Sequence, residues 1–170
     1  MRTIPDTQLS RYFTRYNIIE GTAMSQKARM LNWQHIDQYL KNEERFISLC
    51  QRLDQVIIDL SAHYRKELAD LYTLTLAVSC GFRCLEWEKL QKRSGNSQHT
   101  IGAALDVYVI TNTLTINPIE VMQYLNKHYW NTWKGGFAAK APTYDKQGKL
   151  RSIGFLHFDN RPFQARWHYQ

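Results

Sequence analysis

A chain of 170 residues is about one domain by length, long enough to bury a core without disulfide staples. Its formal charge of +7 suits acidic polymers, nucleic acid or an anionic cell wall, and charge alone does not choose between them. No apolar run approaches the roughly 18 residues of a membrane helix, and the opening MRTIPDTQLSRYFTRYN lacks the apolar stretch of a secretory signal, so synthesis in the cytoplasm without membrane insertion is expected.

Residues 1–35 read as an irregular, mixed arm. Ile36, Leu40, Phe46, Ile47, Cys50, Leu53, Ile57 and Leu60 then step by three and four, the period of a helix with one buried face. The helix is predicted from about Glu43 to Tyr64, with a turn or short helix at Asp37–Leu40 before it. Leu71–Val78 alternates and is rich in Leu, Thr and Val, which predicts a strand. Gly81 marks a turn, Leu85–Lys92 a short helix, and Arg93–Asn96 a loop. Ala103–Ile110 reads as a second, largely buried strand. Pro118 suits the first turn of a helix running to about Tyr129. Gly135–Lys140 and Ile153–Phe158 read as strands, with the polar Tyr144–Lys149 as a hairpin-like loop between them. The fold class is α+β: N-terminal helices packed on a small, mainly antiparallel sheet that carries a polar cluster.

The cysteines are Cys50, Cys80 and Cys84. An odd number without CxxC spacing argues against a disulfide framework and a cysteine zinc finger. Cys50 falls in the apolar helical pattern and reads as a core thiol, while Cys80 and Cys84 flank the turn.

Two segments carry candidate chemistry: SQHTIGAALD at Ser97–Asp106 and GFLHFD at Gly154–Asp159. They supply His99, Asp106 and His157. Asp106 sits in an apolar strand, where a lone carboxylate is costly to bury unless paired or bound to a metal. His157 is embedded between Leu156 and Phe158. Each alone has a plainer reading: a histidine bonded to backbone, or an aspartate at a turn. Two imidazoles and one carboxylate together form a common zinc ligand set that leaves a position open for water.

Cys80-Gly81-Phe82-Arg83, then Asn96-Ser97-Gln98-His99-x2-Gly102-x3-Asp106, then Phe155-Leu156-His157-Phe158-Asp159-x-Arg161 and finally Ala165-Arg166-Trp167 resemble the M15 peptidase family. These are zinc D-Ala-D-Ala carboxypeptidases and related murein endopeptidases. The likeness is to the branch with an F-x-H-x-D-x-R segment and an A-R-W ending; Tyr12-Phe13-Thr14 and Gly21-Thr22-Ala23 fit it too. It spans roughly residues 10–169, and the order of the motifs is more specific than any one of them.

The resemblance implies that His99, Asp106 and His157 bind zinc, and that Arg83 lies beside it and stabilises a carbonyl oxygen as it becomes an oxyanion. A fixed guanidinium in a dry site suits that task; the plainer reading of Arg83 is a surface turn residue. Gly102 would let the chain turn between the His99 loop and the Asp106 strand without a Cβ clash. Ser97 and Gln98 would support the ligands or line the cleft, or would simply form the turn. The implied substrate is a peptidoglycan stem peptide or cross-link containing D-amino acids. The implied setting is phage lysis or a virion-associated peptidase, acting on the wall after release or delivery. The basic charge fits an anionic wall.

Two departures stand out. Many members place an acidic general base three positions before the last zinc histidine, where this chain has Gly154. The branch instead places an acid two positions after it, here Asp159, on the same strand face as His157. Asp159 therefore reads as the base, as a partner orienting a ligand, or as a structural ion pair with Arg161 or Arg166. The family's turn serine is Cys80 here, and Cys84 follows the arginine. Trp87, Trp130, Trp133 and Trp167 read as packing residues more than as cleft walls.

Two rivals stay open. One is a catalytically weak or silent zinc-binding protein of the same fold with a structural or wall-binding task, motivated by Gly154. The other is a basic nucleic-acid-binding domain, but the basic residues are scattered and no such motif appears. The oligomeric state and the bond cleaved are open at this level.

Overall fold

The computed structural model describes residues 4–68, 73–112 and 115–169. Two helices form within the segment expected to be an irregular arm. α1 (Arg15–Glu20) begins on Thr14, whose hydroxyl accepts from the Asn17 N–H while the Asn17 side chain accepts from the Thr14 N–H. α2 (Gln26–Gln34) begins on Ser25, which caps the Ala28 N–H. Both are short and bury only two residues each, Ile18 with Ile19 and Ala28 with Asn32. Their signal lies in the caps, and apolar periodicity cannot find them.

After α3 (Ile36–Leu40), the predicted long helix forms as α4 (Glu43–Leu68), starting where expected and running past Tyr64. Its face of Phe46, Leu49, Cys50, Leu53, Val56, Ile57 and Leu60 is buried. Roughly 1.5–3 kcal/mol comes from each large apolar side chain buried in this way.

β1 (Thr75–Cys80) begins later than predicted; Leu71 and Tyr72 lie outside the described residues. α5 (Leu85–Leu90), β2 (Ala104–Ile110) and α6 (Pro118–Tyr129) follow close to expectation. Then come β3 (Gly136–Lys140), β4 (Thr143–Tyr144), β5 (Leu150–Ser152), β6 (Phe155–Asp159) and β7 (Ala165–Tyr169). β4 and β5 pair around the predicted polar loop, where the Asp145 carboxylate accepts from the Gln147 and Lys149 N–H groups.

The main sheet runs β1-β2-β6-β3-β7. The first three pairings are antiparallel, while β7 pairs parallel to β3, so the sheet is mixed. β7 was not expected as a strand. Arg166 anchors it: the guanidinium donates to the carbonyls of Gly135, Trp130 and Trp133 at 2.6–2.8 Å and lies 3.9 Å from the centre of the Phe137 ring. One face of the sheet carries Leu105, Val107, Val109, Phe137, Ala139, Leu156 and Phe158. These residues form one core with the buried face of α4 and with Val121, Met122 and Leu125 of α6. The polar residues line the other face. Among the described residues, no helix is long and apolar enough to cross a membrane.

Candidate metal centre

Register places the chemistry. Asp106 pairs with Cys80 on one side and with His157 on the other; His157 pairs with Ala138, and Ala138 with Trp167. Residues directly opposite one another point to the same side of a sheet. Cys80, Asp106, His157, Ala138 and Trp167 thus form one row across all five strands. Ala138 is small enough for the His157 and Trp167 rings to approach over it, with centres 5.2 Å apart. Cys80 reaches this row through a β-bulge between Val78 and Cys80, without which Ser79 would face Asp106.

His99 enters from the loop before β2. Thr100 N–H bonds to the Ser97 carbonyl and Ala103 N–H to that of Gln98, winding the loop tightly. Gly102 has φ +75°, and a Cβ there would lie 2.5 Å from that of Asn42, so the expected need for glycine is met by both conformation and space. The loop presses the His99 ring, 3% exposed, onto the row.

The hydrogen bonds set the protons. His99 Nδ1 is 2.7 Å from the Gly81 carbonyl oxygen, which only accepts. Nδ1 therefore carries hydrogen, and in the neutral ring Nε2 is bare. Nε2 lies 3.4 Å from Asp106 Oδ1, so a lone pair faces a carboxylate oxygen. His157 Nδ1 lies 2.8 Å from the same oxygen, and His157 Nε2 lies 3.2 Å from Asp159 Oδ2. Burial lowers the pKa of His99 despite its nearness to Asp106. Burial works the same way on His157, but bonds to Asp106 and Asp159 outweigh it and raise its pKa. Burial opposes the charge of Asp106, yet His99 and His157 hold it well below the usual carboxylate range.

One oxygen with two imidazoles around it, the His99 ring with its Nε2 turned toward that oxygen, leaves a place for a cation. The ligand atoms of Cys80, His99 and Asp106 all lie within 4.8 Å of one another, close enough to hold a metal ion. His157 stands outside that threesome and joins it through Asp106. Nitrogen, oxygen and sulfur donors in this combination suit a borderline-soft divalent ion. Cys84 takes no part: its thiol is buried and its N–H bonds to Asn32.

Asp159 is fully buried. Its carboxylate accepts from the Gly136 N–H at 2.6 Å, from the Arg161 N–H, and from the Arg161 guanidinium at 2.5–2.9 Å, besides facing His157. A Cβ on Gly136 would lie 2.5 Å from Asp159 Oδ2, so any side chain here would push this carboxylate aside. Of the three roles read for Asp159, the contacts of two are present, orientation of His157 and an ion pair with Arg161. Arg166 is engaged elsewhere. Gly154 has φ +74°, and a Cβ would lie 2.1 Å from the Lys140 carbonyl oxygen. This backbone has no room for an acid at that position.

Arg83 is held, not free on a surface. Its Nη2 donates to Ser97 Oγ at 2.6 Å, and its Nε lies 3.2 Å from Oε1 of Glu88, a buried carboxylate shared with Arg93. The turn that carries it hangs on Asn32, fully buried in α2. The Asn32 amide donates to the Ile19 and Phe82 carbonyls, and its oxygen accepts from the Cys84 N–H. Sequence reasoning missed Asn32 and Glu88. Their only signal is a polar residue on the inner face of a short helix.

Arg83, His99, Asp106 and His157 line one cleft of about 840 Å³. Trp87 and Trp167 form part of its wall, whereas Trp133 is core and Trp130 is exposed. No family model matches the chain, and neither do any curated protein or solved structure.

Proposed function

We propose that the protein is a zinc-dependent peptidase acting on peptide bonds that involve D-amino acids in peptidoglycan stems or cross-links. The observation that carries this reading is the convergence of His99 Nε2 and His157 Nδ1 on Asp106 Oδ1, at 3.4 and 2.8 Å, inside a cleft flanked by Arg83. The residue order that resembles zinc carboxypeptidases and murein endopeptidases gives the substrate class. Bound there, zinc would supply a Lewis acid that polarises a carbonyl and lowers the pKa of water to about 7.

The chain's own residues do the rest. Gly81 and Asp159 hold the two rings so that His99 Nε2 and His157 Nδ1, the nitrogens that would hold the ion, both face Asp106 Oδ1. Glu88 and Ser97 hold the Arg83 guanidinium still, so that it meets negative charge developing on a substrate oxygen without rearrangement. The wall-directed setting, phage lysis or a virion-associated enzyme, agrees with the +7 charge.

A second reading is a zinc-binding wall protein with little or no turnover. One observation favours it: among the described residues lining the cleft, Asp106 is the only carboxylate, so no free acid stands ready to carry a proton to a leaving amine. Zinc content measured beside mass spectrometry of muropeptides, digested with and without a chelator, separates the two. New chelator-sensitive products support the peptidase. Stoichiometric zinc without products leaves the binding protein, and absence of zinc ends both.

A further inference from the structure

The bulge at the end of β1 does something the row of ligands does not require. It exchanges Ser79 for Cys80 opposite Asp106, placing a sulfur where a hydroxyl would otherwise face the carboxylate. The Cys80 thiol is half-buried on the cleft wall, and its sulfur belongs to the cluster with His99 and Asp106 whose ligand atoms lie within 4.8 Å. His99 is the independent sign of a ligand. It is a buried ring whose Nδ1 proton is committed to the Gly81 carbonyl, leaving Nε2 with a carboxylate oxygen and no donor. Asp106 sits between Cys80 and His157 in the row, so one carboxylate is shared by ligands arriving from both neighbouring strands.

We propose that Cys80 binds the metal with His99 and Asp106, and that His157, which stands outside this threesome, closes the resting site as the fourth protein ligand once its Nδ1 exchanges Asp106 for the metal. The proposal rests on the metal-binding reading above and adds to it. Sites with four protein ligands are closed, whereas catalytic zinc sites keep a position for water. Substrate access then requires the sulfur to leave, and the centre is latent until it does. Thiolate is the ligand form, so the thiol proton passes to solvent as the sulfur–metal bond forms. A soft sulfur also biases the site toward zinc over magnesium or manganese.

Cobalt(II) substitution tests this without any assay of activity. The wild-type protein loaded with one cobalt should show a thiolate-to-cobalt charge-transfer band in the near ultraviolet. Cys80→Ser should lose the band while still binding cobalt, and Cys84→Ser should keep it. Alkylation of the unsubstituted protein, mapped residue by residue, gives a check that needs no variant: zinc should protect Cys80, and a chelator should expose it. Stoichiometric cobalt with no thiolate band, or equal alkylation of Cys80 with and without zinc, overturns the proposal and leaves the metal-binding reading standing. Failure of the wild type to bind cobalt or zinc at all overturns both.

Discussion

His157 Nδ1 and Asp106 Oδ1 lie 2.8 Å apart, contributed by register partners on adjacent antiparallel strands. His157 is held from behind and Asp106 is met by His99 as well. Asp159 faces the far nitrogen of His157, and both strands turn their other face into the core. A sheet positions side chains more exactly than a loop does, and this suits the first ligands of a metal.

Asp159 tests that support. Asp159→Asn keeps the size of the side chain but removes the charge that faces His157 Nε2 and Arg161. Loss of a partner behind a metal-binding histidine weakens binding by about 10–100-fold. Competition against a chromophoric chelator should show that loss, while His157→Ala should abolish stoichiometric binding. Unchanged affinity in Asp159→Asn would remove the orienting role. Unchanged affinity together with lost muropeptide cleavage would restore Asp159 as the base.

Arg83 and Glu88 give a second test. Arg83→Ala should leave metal content unaltered and lower kcat by about 100-fold or more, the usual loss on removing an oxyanion donor. Glu88→Gln removes the charge facing Arg83 Nε and should lower kcat in the same direction by less, again with full metal content. Activity that survives in Arg83→Ala would detach Arg83 from the chemistry.

Gly154 separates a missing base from an impossible one. Gly154→Asp places an acid where many members of the family that the sequence resembles have theirs, but at φ +74° and against the Lys140 carbonyl. Backbone strain of this kind costs about 1–3 kcal/mol before any overlap is relieved. Urea unfolding of the metal-free protein should show a lower midpoint and no gain in cleavage. A stable, more active variant would refute this reading of the connection between β5 and β6.

The metal-free protein should be sensitive to acid, in a direction set by its carboxylates. Burial opposes the charge of Asp159, but His157, Arg161 and the Gly136 N–H outweigh it; like Asp106, Asp159 is held below the ordinary value of 3.8. A group depressed on folding contributes stability that is present above its unfolded pKa and is lost as pH falls through the folded one. Urea midpoints should therefore drop as pH falls below about 4. Asp159→Asn should start lower at pH 6 and drop less. An identical drop in both would assign the acid limb to other groups.

Much of the scaffold was legible because burial leaves a period. Phe46, Cys50, Leu53, Ile57 and Leu60 announce α4, and Pro118 announces the start of α6. β7 was not legible. In sequence Arg166 reads as part of the A-R-W ending and as a candidate ion-pair partner of Asp159, and it becomes an anchor only when the carbonyls of Gly135, Trp130 and Trp133 gather around it. Asn32 and Glu88 were hidden for the same reason, since their partners lie far along the chain or in a turn with no pattern of its own.

The sequence by itself determined the α+β alternation, the polar segments around His99 and His157, and the candidacy of Asp106, because local periodicity and residue chemistry are properties of short stretches. Only the tertiary structure decided which of these residues meet. Strand register put Asp106 between Cys80 and His157, and one bulge chose Cys80 over Ser79. A left-handed glycine excluded an acid at position 154, and an ion pair with Arg161 bound the buried Asp159 to the fold. Register, bulge and close approach depend on contacts between distant segments, and no stretch of sequence contains both sides of such a contact.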